Sequence, residues 1–162
     1  MREPTEGISM DLDRTDLRLL QLLQQDARAT HQSLAEQVHL SSSSVHERVK
    51  RLQREGYILG YRAQLNPDKL GAALLVFVEV LLDRTVHDVM DSFKAAVQAR
   101  PEILECHLVA GGFDYLLKTR VADMAAYRHF IGAGIWSLPG VRETRTYVVM
   151  EEVKCVPGIS LA

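Results

Sequence analysis

Apolar side chains in the first third of the chain recur at helical spacing in three short runs, each preceded by a residue suited to capping a helix. The first run opens at Asp13, an N-cap residue, with Asp16 three positions on to complement the helix dipole and Leu12 and Leu17 placed as a hydrophobic staple. Leu17, Leu20 and Leu23 are its predicted buried stripe, and the helix is predicted to end near Asp26. Thr30 caps a second, short helix carrying Leu34, Ala35 and Val38. The segment His39-Leu40-Ser41 breaks the pattern, so two short helices meet at a tight turn. A third helix starts within the run Ser41 to Ser44, sets Val45, Val49 and Leu52 inward at i, i+4 and i+7, and is stopped by Gly56. Tyr57 to Leu65 reads as a strand, with Asn66-Pro67 a turn.

From Leu74 the texture changes. LLVFVEVLL is a strand by length and β-branched content. Val86, Val89, Met90, Phe93 and Val97 trace a helix that Pro101 follows; Ile103 to Val109 and Phe113 to Val121 are strands joined at Gly111-Gly112, a hairpin signal. Asp123 caps a helix with Met124, Tyr127, Phe130 and Ile131 on its apolar face, Pro139-Gly140 turns the chain, and Val141 to Met150 is a last strand. The order β-α-β-β-α-β predicts an antiparallel four-stranded sheet with both helices on one face, leaving the other face for a second subunit. The class is α+β. The expected divisions are a loose arm at 1–10, a helical domain at 11–62, a hinge at 63–73, a sheet domain at 74–154 and a tail at 155–162.

Composition adds mainly exclusions. The chain has 162 residues, 47% hydrophobic and 25% charged, with a net charge of −2, so any nucleic-acid surface must come from the placement of charge. Two cysteines, Cys106 and Cys155, without metal-ligand spacing imply free intracellular thiols, and the lack of a leader or a membrane-length apolar run implies a cytoplasmic protein with no membrane partner.

The third helix carries the candidate chemistry. With its apolar stripe inward, Ser43, Glu47, Lys50 and Arg54 point outward, flanked by His46 and Arg51. Because the N-terminal part of such a helix meets base edges, Ser43, His46, Glu47 and Lys50, with Ser42 and Ser44, are candidate readers, and Arg48, Arg51 and Arg54 candidate phosphate contacts. A short helix and a tight turn ahead of it favour double-stranded DNA as the partner over a merely solvated face. The sheet domain holds no catalytic set: Cys106 and His107 alternate across a strand, and His31, His39, His87 and His129 lack metal spacing and are expected to be surface or packing residues, so neither enzyme, metal nor cofactor is expected. Asp114 beside Gly111-Gly112 reads from its position either as a turn residue or as part of a corner holding a small zwitterion.

Over about residues 11–154 the chain resembles the leucine-responsive/AsnC, or feast/famine, family of regulators, on LDRTD (12–16), ERVKRLQREGYILGY (47–61), LNP (65–67), LLVFVEV (74–80), ECHLVAGGFDYLLKTRV (105–121) and LPGVRETRTYVVMEEVK (138–154). The resemblance implies a winged helix-turn-helix, a hinge strand, and a ferredoxin-like ligand domain whose homodimers assemble to octamers. It also implies a nucleoid-associated transcription factor answering to an amino acid such as leucine, with Leu108, Gly111, Gly112, Asp114, Met124, Tyr147, Val148 and Val149 at the effector site. An architectural DNA-binding protein that ignores amino acids is the alternative. Where the family's recognition helix usually opens with a Pro-Thr-Pro-Cys-like segment, this chain has Ser42-Ser43-Ser44-Val45, which predicts a looser start and a different operator preference.

Overall fold

A computed structural model describes residues 12–85, 87–156 and 158–161. These form two compact units, one of residues 12–64 with 156–161 and the other of residues 65–155.

In the first unit, α1 (Arg14–Gln25) starts on a full capping box: the Asp13 carboxylate accepts the Asp16 N–H at 2.8 Å, and the Asp16 carboxylate accepts the Asp13 N–H at 3.2 Å. Its buried row is Asp16, Leu19 and Leu22, whereas Leu17, Leu20 and Leu23, the stripe expected from spacing, are only half-buried. Leucines surround this helix, so periodicity alone does not set its phase. The Thr30 side chain caps α2 (His31–Val38), which ends at His39 in a left-handed conformation (φ 56°). Ser41 then caps α3 (Ser42–Arg54), its Oγ accepting the Ser44 N–H at 3.2 Å. The serine-rich start is therefore closed rather than loose. Leu19, Leu22, Leu34, Ala35, Val45 and Val49 make the core of the three helices, and Leu52 is buried beside them. Residues 58–66 pair with no strand among the described residues, so the predicted Tyr57–Leu65 strand is not formed within this chain. A β-rich segment needs a free edge to pair with, and composition does not supply one. Residues 158–161 return to α1, where Gln24 and the Ile159 backbone exchange two hydrogen bonds (2.8 and 3.1 Å) and Gln21 donates to the Leu161 carbonyl.

The second unit has the expected order: β1 (Leu74–Leu82), α4 (Val89–Gln98), β2 (Ile103–Leu108), β3 (Tyr115–Val121), α5 (Met124–Phe130) running into a π-turn at Ile131–Ile135, and β4 (Val141–Val148). Val86, expected on α4, lies outside the described residues. The antiparallel sheet is ordered β2-β3-β1-β4, with β1 and β3 central. Alternate residues of β1 (Val76, Val78, Val80, Leu82) join Tyr115, Leu117, Phe93, Val97, Tyr127, Phe130 and Ile135 in one core. Each such side chain, withdrawn from water, contributes about 1.5–3 kcal/mol before the entropy of ordering is subtracted. The Tyr127 and Thr146 hydroxyls share a hydrogen bond at 2.6 Å.

Two features differ from expectation. The β2–β3 connection is a six-residue loop, Val109 to Asp114, closed by the Val109 N–H on the Asp114 carbonyl at 3.0 Å, and neither Gly111 nor Gly112 is left-handed. It is not a two-residue hairpin. The uncovered sheet face is also less apolar than β1 alone suggests: Phe77 stands between Lys118 and Tyr147, and Glu79 between Leu116 and Arg145.

Candidate nucleic-acid interface and ligand pocket

The recognition-helix candidate α3 is fixed to α1 by charge as well as by its apolar stripe. Asp16 is 1% exposed and receives Arg48 at 2.8 Å and Arg51 at 2.5 Å, while Arg48 also reaches Asp13 at 2.6 Å. The hydrogen bonds that Arg48 donates to Asp16, then to Asp13, raise its guanidinium above the ordinary value. The Asp16 N–H chiefly, helped by Arg48, holds Asp13 below the usual carboxylate range despite some desolvation. A buried carboxylate with two guanidinium partners is compensated, and it fixes the rotation of α3 about its own axis. Arg48 and Arg51, expected at phosphates, are thus committed to this cluster.

The rest of α3 is free on its outer side. Ser42, Ser43, Ser44, Glu47, Lys50 and Arg54 are exposed, and His46 is half-buried. The serine hydroxyls are partly engaged, Ser41 Oγ lying 3.0 Å from Ser43 Oγ and 2.8 Å from Ser44 Oγ. Lys50 has Glu47 as a loose neighbour at 3.9 Å, and Arg54 has Glu55 at 3.6 Å. Exposed ion pairs at these distances are weak and exchange readily for phosphate.

In the second unit a cleft of about 270 Å³ opens on the uncovered sheet face, lined by Glu79, Leu81, Gly112, Phe113, Glu143, Thr144, Arg145 and Tyr147. It brings together two of the residues expected at the effector site, Gly112 and Tyr147. Gly111, Leu108, Asp114, Met124, Val148 and Val149 do not line it. Leu108, Met124 and Val148 are exposed, and the Val149 N–H is bound to the Leu75 carbonyl at 3.0 Å.

Asp114 is the most constrained of the set. It is 1% exposed, its carboxylate accepts the Leu82 N–H at 2.8 Å and pairs with Arg84, and its own N–H donates to the Val80 carbonyl at 3.0 Å. Burial pushes this carboxyl up, but Arg84 and the Leu82 N–H outweigh it and leave it below the ordinary value. Asp114 therefore pins the β2–β3 loop to the end of β1. Arg84 escaped sequence reasoning because the partners are separated by 30 residues. Cys106 is half-buried with its thiol pushed up by burial, as befits a packing residue. No group of three or more metal-ligating side chains occurs among the described residues, and no helix is long and apolar enough to cross a membrane.

A capped helix-turn-helix with an exposed polar third helix, joined to a separate α+β unit with an open cleft, has the architecture of a DNA-binding regulator with a ligand domain. Residues 12–58 match the winged helix-turn-helix DNA-binding model, and residues 75–159 match the Lrp/AsnC ligand binding domain. The chain belongs to the Lrp/AsnC family of transcriptional regulators. It is 58% identical over 144 residues to the leucine-responsive regulatory protein of Salmonella typhimurium and 57% identical to that of Escherichia coli K12, in each case over 89% of this chain and 88% of the relative. Among solved structures, a transcriptional regulator of Neisseria meningitidis in complex with L-Met superposes with a TM-score of 0.89 at 35% identity, covering 93% of this chain and 97% of that one. The leucine response regulatory protein of Mycobacterium tuberculosis gives 0.76 at 32%, covering 91% and 99%.

Proposed function

We propose that the chain reads a specific DNA sequence through Ser43, His46, Glu47 and Lys50 of α3, with Arg54 at a phosphate, and that a small amino acid, leucine first among those to test, changes its DNA binding and assembly. The observation that carries this reading is the buried Asp16 cluster, which spends two arginines on orienting α3 and leaves Lys50 and Arg54 outward. The effector part is supported by the names of the relatives and by the L-Met complex of the Neisseria regulator. Homodimers joined through the uncovered sheet face, stacking to octamers in the cytoplasm around nucleoid DNA, are the assembly we infer. A dimer would offer two α3 helices to successive major grooves, about 34 Å apart.

A second reading, architectural DNA binding without an effector, is favoured by one observation: the Asp114 oxygens already serve Leu82 and Arg84. A ligand ammonium would have to displace Arg84 or bind elsewhere in the loop.

Fluorescence anisotropy on operator and random DNA at fixed salt, with and without leucine or methionine, separates the two. Lys50→Ala should cost about 1–3 kcal/mol on the operator and less on random DNA. Asp114→Ala should leave DNA binding intact and blunt an effector coupling of about 1–3 kcal/mol. Unchanged affinity and preference in Lys50→Ala would refute the α3 assignment, and indifference of the parent protein to both leucine and methionine would favour the architectural reading.

A further inference from the structure

Arg18, Gln21 and Gln24 form a polar row on α1 at intervals of three residues, and the segment 158–161 lies along it in the opposite direction. Gln24 meets Ile159 as a neighbouring strand would: its Oε1 accepts the Ile159 N–H at 2.8 Å, and its Nε2 donates to the Ile159 carbonyl at 3.1 Å. Arg18 donates to Gln21 Oε1 at 3.4 Å, which leaves Gln21 Nε2 for the Leu161 carbonyl at 3.1 Å. The segment is thus held by its backbone, and the Ile159 side chain stays 73% exposed. The seat also requires a glycine at its entry. Gly158 has φ 145°, which is disfavoured for a residue with a side chain, and a Cβ there would stand 2.6 Å from Gln24 Oε1, the atom that holds Ile159.

This seat changes how the molecule is tied together. The chain leaves the helical unit after residue 64, passes through the sheet unit and re-enters the helical unit after residue 155, so with the segment seated the two units are joined by two crossings. The helix that receives the segment is also the one that holds α3, through Asp16 with Arg48 and Arg51. Three surface hydrogen bonds and a half-buried Leu161 are opposed by the entropy of ordering four residues, and the opposing contributions are of comparable size. A contact balanced in this way opens and closes.

We propose that residues 158–161 are a releasable strap for the DNA-binding unit, seated on Gln21 and Gln24 of α1. Seated, the strap adds a second tether from the sheet unit and removes part of the freedom of α3 before DNA arrives. Released, it returns that freedom. Freedom already removed is not lost again on binding, so the strapped form takes DNA more tightly than the unstrapped one.

Hydrogen exchange on the full chain reads the seat directly, through the Ile159 amide. Fluorescence anisotropy on a random-sequence duplex at fixed salt reads the consequence, and light scattering gives the assembly mass. Gly158→Ala disturbs the entry without touching α1, and Gln24→Ala removes an exposed side chain, so the helix stays folded by circular dichroism. In both variants the Ile159 amide should exchange about tenfold faster and the Kd for DNA should rise about threefold, at unchanged assembly mass. Gln24→Glu, which keeps an acceptor for the Ile159 N–H and loses the donor, should fall between. The proposal is overturned if the Ile159 amide of the parent exchanges as fast as in an unfolded peptide, if its protection is lost while DNA affinity holds, or if affinity falls only where the assembly mass changes.

Discussion

Replacing Asp16 by alanine tests how the recognition helix is held. The change removes a carboxylate that is 1% exposed, two guanidinium contacts at 2.5 and 2.8 Å, and half of the α1 capping box. Breaking a fully buried ion pair by deleting one partner costs about 3–5 kcal/mol. Here the partners Arg48 and Arg51 keep 30% and 35% exposure, so the orphaned guanidiniums regain water. We therefore expect a loss of about 2–3 kcal/mol, including about 0.5–1 kcal/mol from the cap. A unit of this size has only about 3–9 kcal/mol in all, so the effect is a large share of its stability. Hydrogen exchange should show α1 and α3 amides losing roughly 30- to 150-fold protection, at about 1.4 kcal/mol per tenfold. Peptides within 74–148 should be unchanged. Asp16→Asn, which keeps a cap acceptor without the charge, should fall between. If α3 protection stays within about threefold of the parent, or both units lose protection equally, the cluster does not hold α3 as argued.

Two other expectations follow from single residues. His39 ends α2 at φ 56°, where a side chain is disfavoured, so His39→Gly should stabilise the helical unit by about 1 kcal/mol and raise its thermal midpoint; a fall would show that the imidazole makes a compensating contact. Asp13 and Asp114 are held below the ordinary carboxylate value, so their stabilisation is present above about pH 4 and disappears as acid carries the pH down through their folded values. Melting curves from pH 5 to pH 3 should show this, and Asp114→Asn should flatten the slope for the sheet unit alone.

The sequence was most readable where local chemistry decides. Asp13, Thr30 and Asp123 cap the helices expected of them, and Val45, Val49 and Leu52 are buried as their spacing requires. The strand at β1, read from its length and β-branched content, and the order of the sheet domain were equally open to reading. What escaped depends on contacts distant in sequence. The buried row of α1 contains an acid, which a search for apolar stripes passes over, and Asp16 becomes tolerable inside only because Arg48 and Arg51 arrive from 32 and 35 residues away. The same two arginines look like phosphate contacts until their partner is seen. Asp114 with Arg84 is hidden for the same reason. Gly111 and Gly112 misled in the opposite way: a local turn signal was overridden by a longer loop that Asp114 closes.

The segment 156–161 bears on how the chain is made. It follows the sheet domain in the chain, yet it belongs to the unit that precedes that domain, where Gln21 and Gln24 on α1 receive it. The three helices can collapse around Leu19, Leu34 and Val45 while the sheet domain is still on the ribosome. Their last neighbours arrive only after β4 has left the exit tunnel. A stop codon ahead of Ile159, or an insertion within this segment, therefore acts on the DNA-binding half of the molecule.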